Sequence, residues 1–398
     1  MKCKYGKIKS ITEHIIIIVI TFVQLGLLGS LVFNIEFLNP VSNAIKNFSI
    51  TDLFFEVEHY GSHPEINQMI TLVDISDVTE REKIADIINE INICNPWVLG
   101  VDVIFEGLKF DSLGNERLTE SVKAIKEKSI FANKLTNYSS ANRGFTDNVQ
   151  SFFADELSIK EGYVNLTDNL QGTCIRDFII TSSFKGEKKM SFPTRIMLEV
   201  DNNLNIETDD PILINYRNVK FPIVKSNEII ENADLIENRI IIVGSLDDES
   251  DMHNTPLGKM AGIEIQAYTL LTLLEHQNAR YIPMWLNLII SLLVCSLFEF
   301  ILHKIYNGLN RNQDNMIMVF FAKANITTML ILFSFLLCLY WVLYYLFVIH
   351  DIIINATLLL SSVTLVCESR NLYFSIISAY HIRKKCKVNG CNELENEE

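Results

Sequence analysis

M-I-T-L-V-D-I-S-D-V-T-E-R-E-K-I-A-D-I-I-N-E-I-N-I-C-N-P-W-V-L-G-V-D-V-I-F, from Met69 to Phe105, decides the fold. Met69–Ile75 is a short apolar run typical of a buried strand. Glu80–Asn92 then sets Ile84, Ile87, Ile88 and Ile91 at helical spacing, which gives a helix with one apolar face. Asn95-Pro96 breaks the chain, and Trp97–Phe105 is a second buried strand. Strand, helix of about 13 residues and strand make a β-α-β unit, whose crossover implies parallel pairing.

Elements of the same kind continue on both sides. Upstream, Val41–Glu58 reads as helix, broken by His59–Pro64. Downstream, Arg117–Lys128 reads as helix leading into Ile130–Ala132. Asn133–Asn169 is polar and weakly periodic, and reads as loop-rich structure without a function. Ile212–Tyr216 and Phe221–Val224 are short strands, Arg239–Gly244 (R-I-I-I-V-G) is a buried one, and Gly262–Glu275 is an amphipathic helix. There is no internal repeat and no low-complexity linker. The expectation is one compact α/β domain with a mostly parallel central sheet.

Long apolar runs flank this domain. A bilayer core of roughly 30 Å needs about 20 apolar residues in a helix. Ile15–Phe33, Ile282–Leu302 and Ile326–Ile349 meet that, whereas a fourth run from Ile352 is interrupted by Glu368 and Arg370. The first is too long for a signal peptide, and no Ala-x-Ala site follows it. The expected division is a leader at 1–13, spans at 14–33, 282–302, 325–349 and 352–375, a loop at 303–324 and a tail at 376–398. The domain at 34–280 lies between the first and second spans. Lysine and arginine cluster before the first span, between the second and third, and after the fourth. They share the cytoplasmic side only if 34–280 lies outside. The expected location is therefore a plasma membrane, crossed four times, with both termini cytoplasmic.

The net charge of −14 is uneven, because residues 34–280 hold 22 Lys or Arg against 39 Asp or Glu. So acidic a domain excludes phosphate-backbone recognition, and nucleic acid is not an expected partner. Its field could attract cations or basic ligands, or simply keep the domain soluble. Cys94 and Cys174 are the only cysteines in the domain, so it holds one disulfide at most. Cys386 and Cys391 are too few for a zinc site on one chain.

Two blocks resemble a known family. The first is V-D-I-S-D-V-T-E-R (Val73–Arg81) followed by W-V-L-G-V-D-V-I-F ending at Phe105. The second is I-N-Y-R (Ile214–Arg217), R-I-I-I-V-G-S (Arg239–Ser245), D-M-H-N-T-P-L-G from Asp251 and G-I-E-I-Q-A-Y from Gly262. They are similar to the bacterial CHASE sensory extracellular domain of the second type, associated with cyclases and histidine kinases. The resemblance covers roughly residues 35 to 375 and implies one span before the domain and three after it. The chain departs from the pattern in the short turn after Asp77, which lacks Gly-Trp-Pro-type residues. It is also expected to carry no kinase or cyclase of its own.

In open α/β sheets, ligands bind beyond the carboxyl ends of the strands. Asp74, Asp77, Asp102, Asp247, Asp248, Asp251 and His253 fall there. With Arg81 and Thr255 of the motif blocks, the candidate ligand-binding set is Asp74, Asp77, Arg81, Asp102, Asp251, His253 and Thr255. Such carboxylates could hold a divalent cation or a cationic small ligand. The plainer alternative is structural: helix caps, backbone hydrogen bonds, or pairs with Arg81 and Arg239. Gly262 and Glu264 on the last helix, with Glu299 and Glu368 in the spans, are candidates for signal relay. The two membrane carboxylates can instead pair with His303 and Arg370, or snorkel. Asp74 and Asp77 resemble the aspartate pair of haloacid-dehalogenase-type phosphatases but stand three residues apart, not two. No G-x-S-x-G, Walker loop or H-E-x-x-H is present. The chain is not expected to be an enzyme, nor to need an organic cofactor.

The leading expectation is a membrane-anchored sensor that passes its signal through the spans to a separately encoded effector, within a homodimer in the lipid bilayer. The first alternative is a structural membrane subunit whose outside domain docks another envelope protein, which an exposed apolar patch would favour. The second is a small transporter using Glu299 and Glu368.

Overall fold

In the computed structural model the chain divides into two units, residues Ile50–Arg280 and residues 1–49 with 281–398. The structure describes residues 2–34, 49–140, 143–166, 174–201, 211–276, 279–311, 316, 320 and 325–394. Helix α1 (Lys2–Asn34) opens the chain and belongs to the second unit. The first unit then runs α2 (Ile50–Gly61), β1 (Ile70–Asp74), α3 (Arg81–Ile93), β2 (Val98–Val101), α4 (Ser112–Ile125) and β3 (Ser129–Ser139). It continues with β4 (Gly144–Val149), β5 (Lys160–Tyr163), β6 (Thr181–Phe184), β7 (Glu187–Met190) and α5 (Phe192–Val200). It closes with β8 (Ile223–Lys225), β9 (Ile240–Gly244), the hairpin β10 (Met252–Thr255) and β11 (Gly258–Ala261), and α6 (Gly262–Leu274).

The sheet order is β8-β1-β9-β2-β3-β4-β6-β7, with β5 also on β3. Pairing is parallel from β8 through β3 and between β3 and β5, and antiparallel in β3–β4 and β6–β7. The expected α/β class with a mostly parallel sheet is observed, but one detail of the β-α-β unit is corrected. Strands β1 and β2 are parallel without touching, because β9 lies between them. Ile240, Ile241, Ile242 and Val243 are apolar on both faces and completely buried. A strand of that kind belongs at a sheet's centre, with helices on either side.

The loop-rich reading of 133–169 is also corrected, with 141–142 and 167–169 outside the described residues. Asn133–Ser139 prolongs β3, and β4 and β5 follow. The alternation is faint because this part of the sheet is half wet: Leu135 is buried while Lys134 and Tyr138 are exposed. The helix expected from Arg117 begins earlier, at Ser112, where Asp111 Oδ1 accepts from the Gly114 amide at 2.9 Å. The helix expected at Val41–Glu58 is seen from Ile50 and runs past His59 to Gly61, while 41–48 lie outside the described residues.

One face of the sheet is covered by α3 and α4. Ile84, Ile88, Ile91, Leu118 and Val122 pack on Val73, Leu99, Val101, Phe131 and Val243. The other face carries α5 and α6, and two glycines let α5 close on it. A Cβ on Gly100 would stand 2.7 Å from Ile196 Cδ1, and one on Gly162 would stand 2.5 Å from the Phe192 Cα. The second clash is with backbone, which cannot swing away. Gly162→Ala is therefore expected to lower stability by about 1–3 kcal/mol. Gly61→Ala, where nothing lies within 4 Å of the added carbon, should stay within about 0.5 kcal/mol of the parent. Urea midpoints of the two variants check the contrast.

The helical unit adds α7 (Met284–Arg311), α8 (Asn325–His350) and α9 (Ala356–Leu394) to α1. Among the described residues, three helical stretches are long and apolar enough to cross a membrane: Ile11–Val32, Met284–Leu309 and Ile326–His350. Helix α9 packs Val363, Val366 and Cys367 against Ile18 of α1 and Cys295, Phe298 and Leu302 of α7. Its Glu368 and Arg370 interrupt the apolar run. Helix α7 continues through Arg311, beyond the expected end of its span at residue 302.

Candidate functional site

Strand register builds the site. Asp74 is in register with Lys225 on β8 and Gly244 on β9, and the Asp102 amide donates to the Val243 carbonyl at 2.8 Å. Level residues of parallel strands share a face. Asp74 and Asp102 therefore flank Gly244 on the face that α6 covers. A Cβ on Gly244 would stand 3.0 Å from Ile263 Cδ1 and 3.4 Å from Asp102 Cβ. Glycine between the two aspartates thus lets α6 approach the carboxyl end of the sheet.

The two aspartates have different surroundings. Asp74 Oδ1 accepts from the Ser76 amide at 3.0 Å and the Ser76 hydroxyl at 2.5 Å, with the Leu246 amide at 3.3 Å. The Ser76 hydroxyl oxygen also accepts from the Leu246 and Asp247 amides and lies 3.1 Å from Ser245 Oγ. Asp74 therefore fastens the loops after β1 and β9. Among the described residues, by contrast, no donor reaches the Asp102 carboxylate. It is closely walled by protein yet open to water at one edge. Burial, and secondarily the charge of Asp251, pushes its carboxyl up to about 7.

Asp251 reaches the same place from the loop after β9. Its carboxylate fills the space that a Cβ on Gly262 would take, with Oδ2 at 2.2 Å from that position. Its Oδ1 lies 3.1 Å from His253 Nε2. A carboxylate at the first residue of α6 meets the positive end of the helix dipole. Glu264 Oε2 accepts from the Ala261 amide at 3.2 Å. Alanine carries no side-chain acceptor, so only the glutamate half of a capping box forms.

The structure thus brings together Asp102, Asp251, His253 and Gly262. The other members of the set lie elsewhere. Asp77 is exposed and accepts from Ser226 Oγ at 3.0 Å. Thr255 closes the β10–β11 turn, donating to the Gly258 carbonyl at 2.9 Å. Arg81 is 3 % exposed and pairs with neither Asp74 nor Asp102. It donates to the carbonyls of Glu106 (3.0 Å) and Gly107 (2.8 Å) and to Asn115 Oδ1, and stacks over Phe152 at 4.7 Å. Asp248 caps a short turn, and hydrogen bonds from the Ser250 hydroxyl and, secondarily, the Ser250 amide hold its carboxyl below the usual range.

In the helical unit Glu299 is 1 % exposed and pairs with Arg370, whereas Glu368 faces outward from α9. Sequence reading missed Ser76, the clasp of the edge, and Glu161, whose carboxyl burial pushes up to about 7. Ser76 stands two residues after Asp74, the Asx-turn spacing, and that signal could have been read. Glu161 carried none. Among the described residues, no three His, Cys, Asp or Glu side chains are grouped as a metal ion requires. Two carboxylates beside an imidazole suit a cationic organic group better than a bare divalent ion.

A family model, the CHASE2 domain, matches residues 17–301, well over half of the chain. In the corresponding searches no curated protein and no solved structure matches.

Proposed function

We propose that the chain, which belongs to the CHASE2 domain family, is a membrane-anchored sensor that takes a small cationic ligand between Asp102 and Asp251. CHASE2 domains are sensory extracellular domains, so a sensor role follows from membership. The observation that carries the ligand class is the Asp102 carboxylate, which no donor among the described residues reaches and which opens to water. An amine or guanidinium there would supply the missing hydrogen bonds and neutralise two like charges at once.

Relay would start at the same residues. Asp251 lies on Gly262, the first residue of α6, and the chain after α6 enters α7 within ten residues. A ligand that binds one position of α6 better than another shifts the population toward it. The signal would pass to a separately encoded effector, the chain acting as a homodimer in the inner membrane. In this reading 34–280 lies outside, α9 is the fourth span, and both termini are cytoplasmic.

The test is the urea midpoint of the full chain in detergent, followed by Trp97 fluorescence in a Trp285→Phe, Trp341→Phe background. Spermidine, arginine, choline and calcium are the probes. Ligand at 100 times its Kd should stabilise by about 2.7 kcal/mol, and Asp251→Ala should remove that gain. A gain untouched by Asp251→Ala would move the site elsewhere.

One observation favours a second reading, docking to another envelope protein. Leu108 and Phe110 stand exposed on a loop that the buried Arg81 clamps, with the exposed Leu113 in the first turn of α4 that follows. A pre-shaped apolar crest suits a protein partner. This reading takes over if none of the four probes shifts the midpoint.

A further inference from the structure

Glu299 sits inside the helical unit on α7, and its neighbours come from three helices. Oε1 accepts from Arg370 Nη1 of α9 at 2.6 Å, and Oε2 lies 3.4 Å from His14 Nδ1 of α1. The His303 ring stands edge-on to His14, centroids 4.6 Å apart. The Arg370 guanidinium spreads over the rings of Tyr306 and Phe374, at 5.6 and 5.1 Å. The preceding residue, Ser369, donates to Gln24 Oε1 of α1 at 2.7 Å. Ser369 and Arg370, the polar residues that α9 turns inward beside Cys367, are thus both held by other helices.

Helix α9, interrupted by Glu368 and Arg370, is not among the described helices whose length and composition suit a membrane crossing. An arginine in lipid without a partner opposes insertion, and a buried carboxylate without one opposes folding of the bundle. Each residue cancels the other's cost. We propose that the Glu299–Arg370 pair is the lock that seats α9 in the membrane as a fourth span. It thereby sets the side on which residues 376–398 lie. With the first three spans fixed, a seated α9 leaves that segment on the same side as the start of the chain, and an unseated α9 leaves it opposite.

The lock has an asymmetry that a mere structural contact would not share. Removing Glu299 strands Arg370, and α9 should fail to insert. Removing Arg370 makes α9 more apolar, so it should insert even without the glutamate. The experiment fuses two reporters in parallel to the C-terminus of the full chain in a bacterial host. One is a fluorescent protein that matures only in the cytoplasm, the other an alkaline phosphatase active only outside it. Wild type should be strongly fluorescent. Glu299→Leu should lower the ratio of fluorescence to phosphatase activity at least fivefold, Arg370→Leu should not, and Glu299→Leu/Arg370→Leu should restore it to within twofold of wild type. A wild-type reporter on the outside overturns the proposal. So does an unchanged ratio in Glu299→Leu, or a double variant no better than Glu299→Leu alone.

Discussion

Asp102→Asn is expected to flatten a fall in stability of the α/β unit as pH rises from about 4 to about 7. The sign follows from the raised carboxyl. In the folded protein Asp102 holds its proton up to about 7, against a usual value of 3.8. Between those limits the native state binds more protons than the unfolded state, so stability decreases with increasing pH. The contribution is fully present below the unfolded pKa and gone above the folded one. At about 1.4 kcal/mol per unit, partly relieved by water at the open edge, it amounts to about 2–4 kcal/mol. The asparagine variant should therefore exceed the parent at pH 8 by that amount and approach it near pH 4. Glu161, also raised to about 7 by burial, acts in the same direction. A residual slope should remain in Asp102→Asn and shrink further in Asp102→Asn/Glu161→Gln. Urea midpoints at pH 4.5, 6 and 8 decide the matter, and parallel curves for parent and variant would refute the assignment. The same proton bears on function, because a cation competes with it for the carboxylate. Binding of an amine should weaken as pH falls below 7.

The sequence made some of this legible and concealed the rest for identifiable reasons. Strand and helix identities around β1, α3 and β2 follow from local periodicity, which the chain carries residue by residue. That β9 would part β1 from β2 is a matter of long-range pairing, invisible to any window of local sequence. Its unbroken Ile-Ile-Ile-Val run was the available hint of a central position. Asp102 stood out as a charge inside an apolar run, and there the anomaly does mark the open carboxylate. Asp74 stood out equally, but a serine two residues on satisfies it. Telling the two apart requires knowing where Ser76 and the loop after β9 lie. Cys94 and Cys174 are both free thiols, though their number alone permitted a bridge. Arg81 stands in the candidate set through its motif block, and the structural alternative pairs it with the aspartates because opposite charges lie near one sheet edge. Its actual partners are two carbonyls and an amide, and carbonyls leave no trace in a sequence.

Replacing Arg81 should be the most damaging single change in the α/β unit. Burial presses the guanidinium's pKa down, and Asp111 offsets this in part. Its cost is met by the Glu106 and Gly107 carbonyls, Asn115 Oδ1 and the Phe152 ring. Arg81→Ala leaves a cavity beside Phe152 and three acceptors without their donor. The expected loss is about 3–5 kcal/mol, in the range seen when one side of a buried charged network is removed. For a unit of this size that lowers Tm by about 10 °C. Arg81→Lys keeps the charge but cannot fork between two carbonyls and an amide, so it should recover less than half of the loss. Arg81→Met restores the stem's packing without any donor, and separates the cavity from the hydrogen bonds. The loop bearing Leu108 and Phe110, with the first turn of α4 that carries Leu113, should report the change directly. With its clamp gone, amide exchange at residues 106–113 should quicken well beyond what global destabilisation predicts. If exchange there rises only in step with the rest of the sheet, Arg81 supports the core alone. The apolar crest would then owe its shape to Asn115, which bonds Lys109 through both its carbonyl and its amide.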